Sequence, residues 1–319
     1  MLSKGPSGSF SERSALRAQA GCAGAAARDT AFVRSRCTVR RNESASGSWE
    51  MATRAPHPAL AGAVHRYVGY VERSAETVRR REVPQDQVTV ILGFGTPLSI
   101  GGAQLAAHGC DSFVAPLSDA YAITEFSGVS RGIQIDLSPL ATRALLGVPM
   151  RELDALVVDL QEPLGAFGPR LAEVLYDAPN WDARFDLLDR VIARRLETVA
   201  PASPDVVWAW RRLHETSGRL AIGALATELG CSRRHLVARF RDQIGPPPKT
   251  VARILRFGRV VRLLERHDGT RLAELAQDCG YYDQAHLNRD FRELAGTTPS
   301  AYAGCRLPSA TGVRAQISA

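Results

Sequence analysis

The sequence predicts an α+β chain: a β-rich N-terminal domain that also carries helices, then an all-α C-terminal domain of two helix-turn-helix units joined by a long helix. Three observations predict it. Period-2 alternation of apolar residues is confined to the stretch before residue 140, one helical pattern occurs twice after residue 205, and the charge balance changes sign between the two regions. Residues 51–200 carry 14 basic and 18 acidic side chains, and residues 201–305 carry 16 and 11.

The chain has 319 residues, a formal net charge of +7 and 45% hydrophobic residues, which suits two ordinary globular domains. No run reaches the roughly 18 consecutive apolar residues of a membrane-spanning helix, so a helical integral membrane protein is excluded and no membrane partner is expected. The six cysteines, Cys22, Cys37, Cys110, Cys231, Cys279 and Cys305, show no C-x-x-C spacing, which points to a reducing, cytoplasmic setting. An acidic middle region before a basic C-terminal one is the arrangement expected when only the latter meets a polyanion.

Residues 1–50, rich in Ser, Gly, Ala and Arg, read as a disordered leader, with Met51 as an alternative start. Their four acidic residues and lack of an apolar stripe argue against an organelle transit peptide. Residues 51–200 form the expected effector or dimerisation domain. Gln87–Phe94 places Val88, Val90 and Leu92 on one face, and Gly132–Leu137 does the same with Ile133, Ile135 and Leu137, so both are predicted strands. Leu98–Ile100, Ser112–Ala115 and Tyr121–Phe126 are shorter candidates. Ser138-Pro139 opens a helix, and two more follow near 165–177 and 180–198, the last capped by Asn180. Arg79-Arg80-Arg81 with Glu82 reads as a solvated charge run, with anionic-effector binding as its functional alternative. His108-Gly109-Cys110 has no second cluster at ligand spacing, and no nucleophile-elbow, zinc-protease, dinucleotide or P-loop string occurs. No catalytic residue, metal or cofactor is therefore assigned, and the chain is not expected to be an enzyme.

Pro201–Pro204 is the predicted boundary, and 205–305 the second domain, followed by a disordered tail at 306–319. Within it, Ile222–Pro248 repeats as Leu272–Pro299. Leu225-Ala226 matches Leu275-Ala276 and Gly230 matches Gly280 at an offset of 50; Leu236, Phe240, Arg241, Gly245 and Pro248 match Leu287, Phe291, Arg292, Gly296 and Pro299 at 51. Each copy reads as an apolar helix, a glycine, a polar turn, and a second helix capped by Ser232 or Asp283. Leu236 and Phe240, or Leu287 and Phe291, lie four apart on one buried face. Lys249–His267 is predicted as one helix holding the copies apart, so that two second helices about one DNA turn, roughly 34 Å, apart can enter successive major grooves.

These residues resemble the DNA-binding domain of the AraC/XylS family of bacterial transcription regulators. Leu225-Ala226, Gly230-Cys231-Ser232, Leu236 and Phe240 carry the likeness in the first unit, and Arg256 with Leu263-Leu264 in the linker. Gly280-Tyr281, Asp283-Gln284, His286-Leu287, Arg289, Phe291, Gly296, Thr298-Pro299 and Tyr302 carry it in the second, and the match spans about a third of the chain. Gly258, Val260 and Pro246-Pro247-Pro248 depart from the usual pattern. The resemblance implies promoter or operator DNA as partner and RNA polymerase as a contact. It also implies an effector or dimerisation domain, cupin-like in several members, a small-molecule effector, and a homodimer associated with the nucleoid.

With Leu236 and Leu287 facing inward, Arg234, Val237, Ala238, Gln284, Ala285, Asn288 and Arg289 are the expected base-reading residues. Arg suits guanine and Gln or Asn suits adenine. Arg233, Arg239, Arg241, Lys249, Arg256, His286 and Arg292 are the expected phosphate contacts. Cys231 and Cys279, beside the turns, read as small buried residues. Two other classes predict different behaviour: a helical-repeat adaptor would lack salt-dependent DNA affinity, and an enzyme fused to this module would need a nucleophile motif such as Pro-Cys-His-Arg.

Overall fold

The computed structural model describes residues 36–102, 105–153, 156–266, 271–304 and 313–314. Its strands are β1 (Thr38–Ser44), β2 (Gly47–Arg54), β3 (Val64–Glu82), β4 (Val88–Gly93), β5 (Leu98–Gly102), β6 (Leu105–Cys110), β7 (Phe113–Ala115), β8 (Ala122–Leu137), β9 (Val158–Asp159) and β10 (Val313–Arg314). They form one antiparallel sheet in the order β1-β2-β3-β8-β4-β7-β9. β8 is the hub: β3 runs along one side, while β5 pairs with its first residues and β4 with Gly132–Leu137 on the other.

Period-2 geometry gives β3 two different faces. Tyr67 stacks on Phe185 with ring centroids 5.5 Å apart, and Gly69 lies so close to Trp181 that a β-carbon would meet the indole at 2.3 Å. Both aromatic partners belong to a helix, Trp181–Glu197, started by Asn180 accepting from the Ala183 N–H at 2.9 Å. Buried Arg54 joins sheet and helix through Asp186 at 2.7 Å and Asp189 at 2.5 Å, and Tyr67 also donates to Asp189. The other face of β3 turns Val68, Tyr70, Glu72, Arg80 and Glu82 toward a cavity.

Taken in order, the helices are α1 (Pro139–Leu146), α2 (Gln161–Leu164), α3 (Phe167–Asp177), α4 (Trp181–Glu197), α5 (Pro204–Glu215), α6 (Ile222–Glu228), α7 (Arg233–Gln243), α8 (Pro248–Glu265), α9 (Leu272–Asp278), α10 (Gln284–Ala295) and α11 (Pro299–Gly304). One hydrophobic core runs from the sheet through Met150 and Leu153 into α5, α6, α7 and the first half of α8. A second core joins Phe257 and Val260 of α8 to α9, α10 and Tyr302. Pro201 and Pro204 therefore separate α4 from α5, helix from helix, without a break in packing.

Three expectations need correction. Residues 38–50 belong to the β1–β2 hairpin and not to a disordered leader, because their register places Trp49 and Glu50 against Glu72 and Val71 of β3. Met51 lies within β2, and residues 1–35 are outside the described residues. In the tail, Val313 and Arg314 pair with Arg81 and Arg80, on the stretch of β3 beyond its last β2 partner, Ser74, where the edge is open; the other residues of 305–319 are outside the described set. Lastly, Arg79–Glu82 is the end of β3 and only Arg79 of it is exposed: Arg81 and Glu82 are half-buried, and Arg80 is held by Glu72 with both groups largely buried.

Candidate nucleic-acid interface

Each helical unit starts from the same local chemistry. Gly230 and Gly280 adopt φ of +64° and +79°, a region that favours glycine, and reverse the chain after α6 and α9. The turns close identically: Cys231 N–H donates to Ala226 O at 3.0 Å, and Tyr281 N–H to Ala276 O at 2.9 Å. The second helices then begin on side-chain caps, Ser232 Oγ accepting from His235 N–H at 3.2 Å and Asp283 Oδ1 from His286 N–H at 2.7 Å. Leu236 and Phe240 pack inward on Leu225 and Ala226, as Leu287 and Phe291 do on Leu275 and Ala276, all eight buried.

That packing decides what remains outside. On α7, Arg234 and Ala238 are exposed and Val237 half-buried; on α10, Gln284, Ala285 and Arg289 are exposed and Asn288 half-buried. The seven expected base-reading residues thus lie on the sides of the two helices opposite their packed leucines and phenylalanines. Among the expected phosphate contacts, Arg241, Lys249 and Arg292 are exposed and Arg239 half-buried.

Of the other three, Arg233 is exposed, while Arg256 and His286 are engaged within the fold. The Arg233 guanidinium folds back over α6, where a β-carbon at Gly223 would meet it at 2.2 Å. Arg256 packs on the Tyr281 ring at 5.7 Å, with its Nε buried. His286 lies edge-on to Tyr281, and its Nδ1 accepts from Tyr282 N–H at 3.4 Å. Cys279 is buried and Cys231 half-buried. Tyr282, which the sequence reading passed over, is 90% exposed beside the α10 cap.

A charge cluster absent from the sequence reading links this surface to the sheet. Arg253 of α8 donates to Asp290 and Glu293 of α10, and at 3.2 Å to Asp119 in the β7–β8 loop. Asp290 is buried and also accepts from the Tyr281 hydroxyl at 3.0 Å. Two residues along, Tyr121 lies against Gly296 at the end of α10 and beneath the Arg81 guanidinium. On the first unit, Asp242 of α7 accepts from Arg151 at 2.5 Å. The one available signal was an arginine lying between the apolar residues Val251, Ile254 and Leu255 of α8.

The cavity on the other side of the same loop has a volume of about 180 Å³ and an apolar lining that includes Ile91, Ile100, Phe113 and Phe126. Ser118 and Ala120 line it, while Asp119 between them reaches Arg253. His108 is exposed, and Cys110 is buried with its thiol directed at Asp159, burial being the main cause that pushes its pKa up to about 12. Among the described residues no group of three His, Cys, Asp or Glu is placed to hold a metal ion, and no helix is long and apolar enough to cross a membrane.

Compared with known families, residues 225–304 match one described as "Helix-turn-helix domain". No curated protein sequence matches the chain. Among solved structures it is similar to ToxT from Vibrio cholerae, at 10% identity over 81% of this chain and 98% of that one, with a TM-score of 0.44. The C-terminal domain of AraT, a response regulator from Geobacillus stearothermophilus, matches at 21% identity over 34% of this chain and 92% of that one, with a TM-score of 0.32. The DNA-binding domain of AdpA, a global transcriptional factor in complex with a target DNA, matches at 28% identity over 32% and 92%, with a TM-score of 0.30.

Proposed function

Since residues 225–304 form an AraC/XylS-type helix-turn-helix domain, we propose that the chain is a transcription regulator that binds promoter DNA by setting α7 and α10 into successive major grooves. The observation that carries this reading is the pair of units whose turns close on the same backbone hydrogen bond and whose second helices each start on a side-chain cap, each keeping that helix's outer side clear of the core. Arg234 and Arg289 read guanine, Gln284 and Asn288 read adenine, and Val237, Ala238 and Ala285 offer apolar contact to thymine methyls. Arg239, Arg241, Lys249, Arg292 and the exposed Tyr282 hold phosphates. Arg256 and His286 pack on Tyr281, while the exposed Arg233 stays within reach of a phosphate. RNA polymerase and a second copy of the chain enter as partners through the family resemblance alone.

The cavity is the effector site in this reading, and the β7–β8 loop its outlet. Ser118 and Ala120 touch a ligand while Asp119 and Tyr121 touch α8 and the end of α10. A bound molecule that shifts this loop shifts the second unit against the sheet.

The test uses the full chain: sites are selected from random duplex DNA, sequenced, and titrated by anisotropy over a salt series. Two half-sites about one helical turn, roughly 34 Å, apart and a steep fall of affinity with salt are expected. Binding that ignores sequence and salt would leave the helical units to a protein partner.

A further inference from the structure

Charge accounting inside the cavity points to the chemistry of its ligand. The charged residues lining it are Glu72, Arg80 and Glu82. Arg80 directs both terminal nitrogens to Glu72 and lies over the Phe126 ring at 5.6 Å, so its charge is already matched. Among the described residues, the Glu82 side chain has one hydrogen-bond partner, the Thr124 hydroxyl, donating at 3.4 Å. Protein atoms surround Glu82, yet part of its surface stays accessible because it forms cavity wall. Across the cavity, β4, β5 and β7 present Thr89 and apolar side chains, among them Ile91, Ile100 and Phe113. When Glu82 is ionised, the cavity therefore holds one negative charge more than its own cation balances.

We propose that the cavity takes a small apolar molecule bearing a cationic amine, with the amine against the Glu82 carboxylate and the apolar body among Ile91, Ile100, Phe113 and Phe126. This rests on the cavity being the effector site. An isolated carboxylate in such surroundings is costly, and a ligand cation removes that cost while the apolar walls favour the rest of the molecule. Burial pushes Glu82 up to about 7, with Arg80 and Thr124 opposing the rise and Glu72 adding to it. An amine binds the ionised carboxylate, so the Glu82 proton competes with it: affinity falls below pH 7 and reaches its plateau above.

Full-length protein is titrated by calorimetry with n-octylamine, n-octanol and n-octanoate, which share one tail, at pH 8 and pH 6, and again in Glu82→Gln. Octylamine, protonated at both pH values, is expected to bind at least about tenfold tighter than octanol at pH 8 and to weaken about tenfold at pH 6. The preference should vanish in Glu82→Gln, and the wild-type pH series stands even if that variant folds poorly. Arg80 keeps one buried donor, its Nε, without a partner, so the acid is a real competitor. Octanoate binding as tightly as the amine, an amine preference that survives Glu82→Gln, or no binding by any of the three overturns the proposal. DNA affinity measured in the same samples separates the two ideas. An amine that binds through Glu82 without altering DNA affinity upholds the ligand chemistry and refutes effector control.

Discussion

Arg234 and Arg289 stand at different places on two similar helices, their counterparts by repeat offset being Ala285 and Ala238, and they have different surroundings. Arg234 stands in the first turn of α7 beside the exposed Arg233, whose guanidinium lies over Gly223. Arg289 lies further along α10, next to Asp290, which is buried and directed at Tyr281 and Arg253. If each arginine makes a bidentate guanine contact, Arg234→Ala and Arg289→Ala should each cost about 1–3 kcal/mol of binding to the selected site and relax preference at one base position. Arg292→Ala, a phosphate contact, should weaken all sequences alike and flatten the salt slope by about one counterion. Anisotropy titrations against the selected site and single-base variants would measure both effects. Equal losses on every sequence for Arg234→Ala would mean that this arginine positions the helix and reads nothing.

The two helical units share a turn and a cap, yet the second carries a polar lock that the first lacks. Asp290 accepts from Tyr281 and Arg253, whereas its counterpart by repeat offset is Arg239 on α7. Asp290→Ala leaves the buried Tyr281 hydroxyl without its acceptor and takes from Arg253 its one buried carboxylate, and should cost about 2 kcal/mol in urea unfolding. Glu293→Ala removes an exposed partner of the same arginine and should cost under about 1 kcal/mol. The helical elements were legible because apolar spacing, turn glycines and capping residues are local signals that agreed with one another. β3 was not legible as a strand of 19 residues. Its inward face carries Glu72, Arg80 and Glu82 toward the cavity, so the apolar alternation that betrays a half-buried strand fails where the cavity needs polar groups. The Arg253 cluster was hidden differently: its partners lie 134, 37 and 40 positions away, and no pattern along the chain reports a contact between a loop of the sheet and a helix.

Across the molecule, the two units are attached to the sheet in unlike ways. The first shares the sheet's hydrophobic core through α5, α6, α7 and the start of α8. The second has a separate core, against which Val83 just after β3 packs, and it meets the β7–β8 loop through Arg253–Asp119 and Gly296–Tyr121. Unit one should therefore move with the sheet, and unit two should be the part whose position can be adjusted. Asp119 is 44% exposed, so its pair with Arg253 contributes under about 1 kcal/mol to stability. Its larger effect should fall on the distance between the two reading helices. The double variant Asp119→Ala with Tyr121→Ala removes both loop contacts while leaving Asp290 and Glu293 on Arg253. It should tolerate operators whose half-sites are one base pair closer or further apart, with a spacing penalty reduced by up to about 1 kcal/mol, or roughly fivefold in affinity. Competition anisotropy with spacing-altered duplexes would measure that penalty. A penalty as steep as in the wild type would show that these loop contacts do not set the separation, leaving the cavity no route to the second reading helix through this loop.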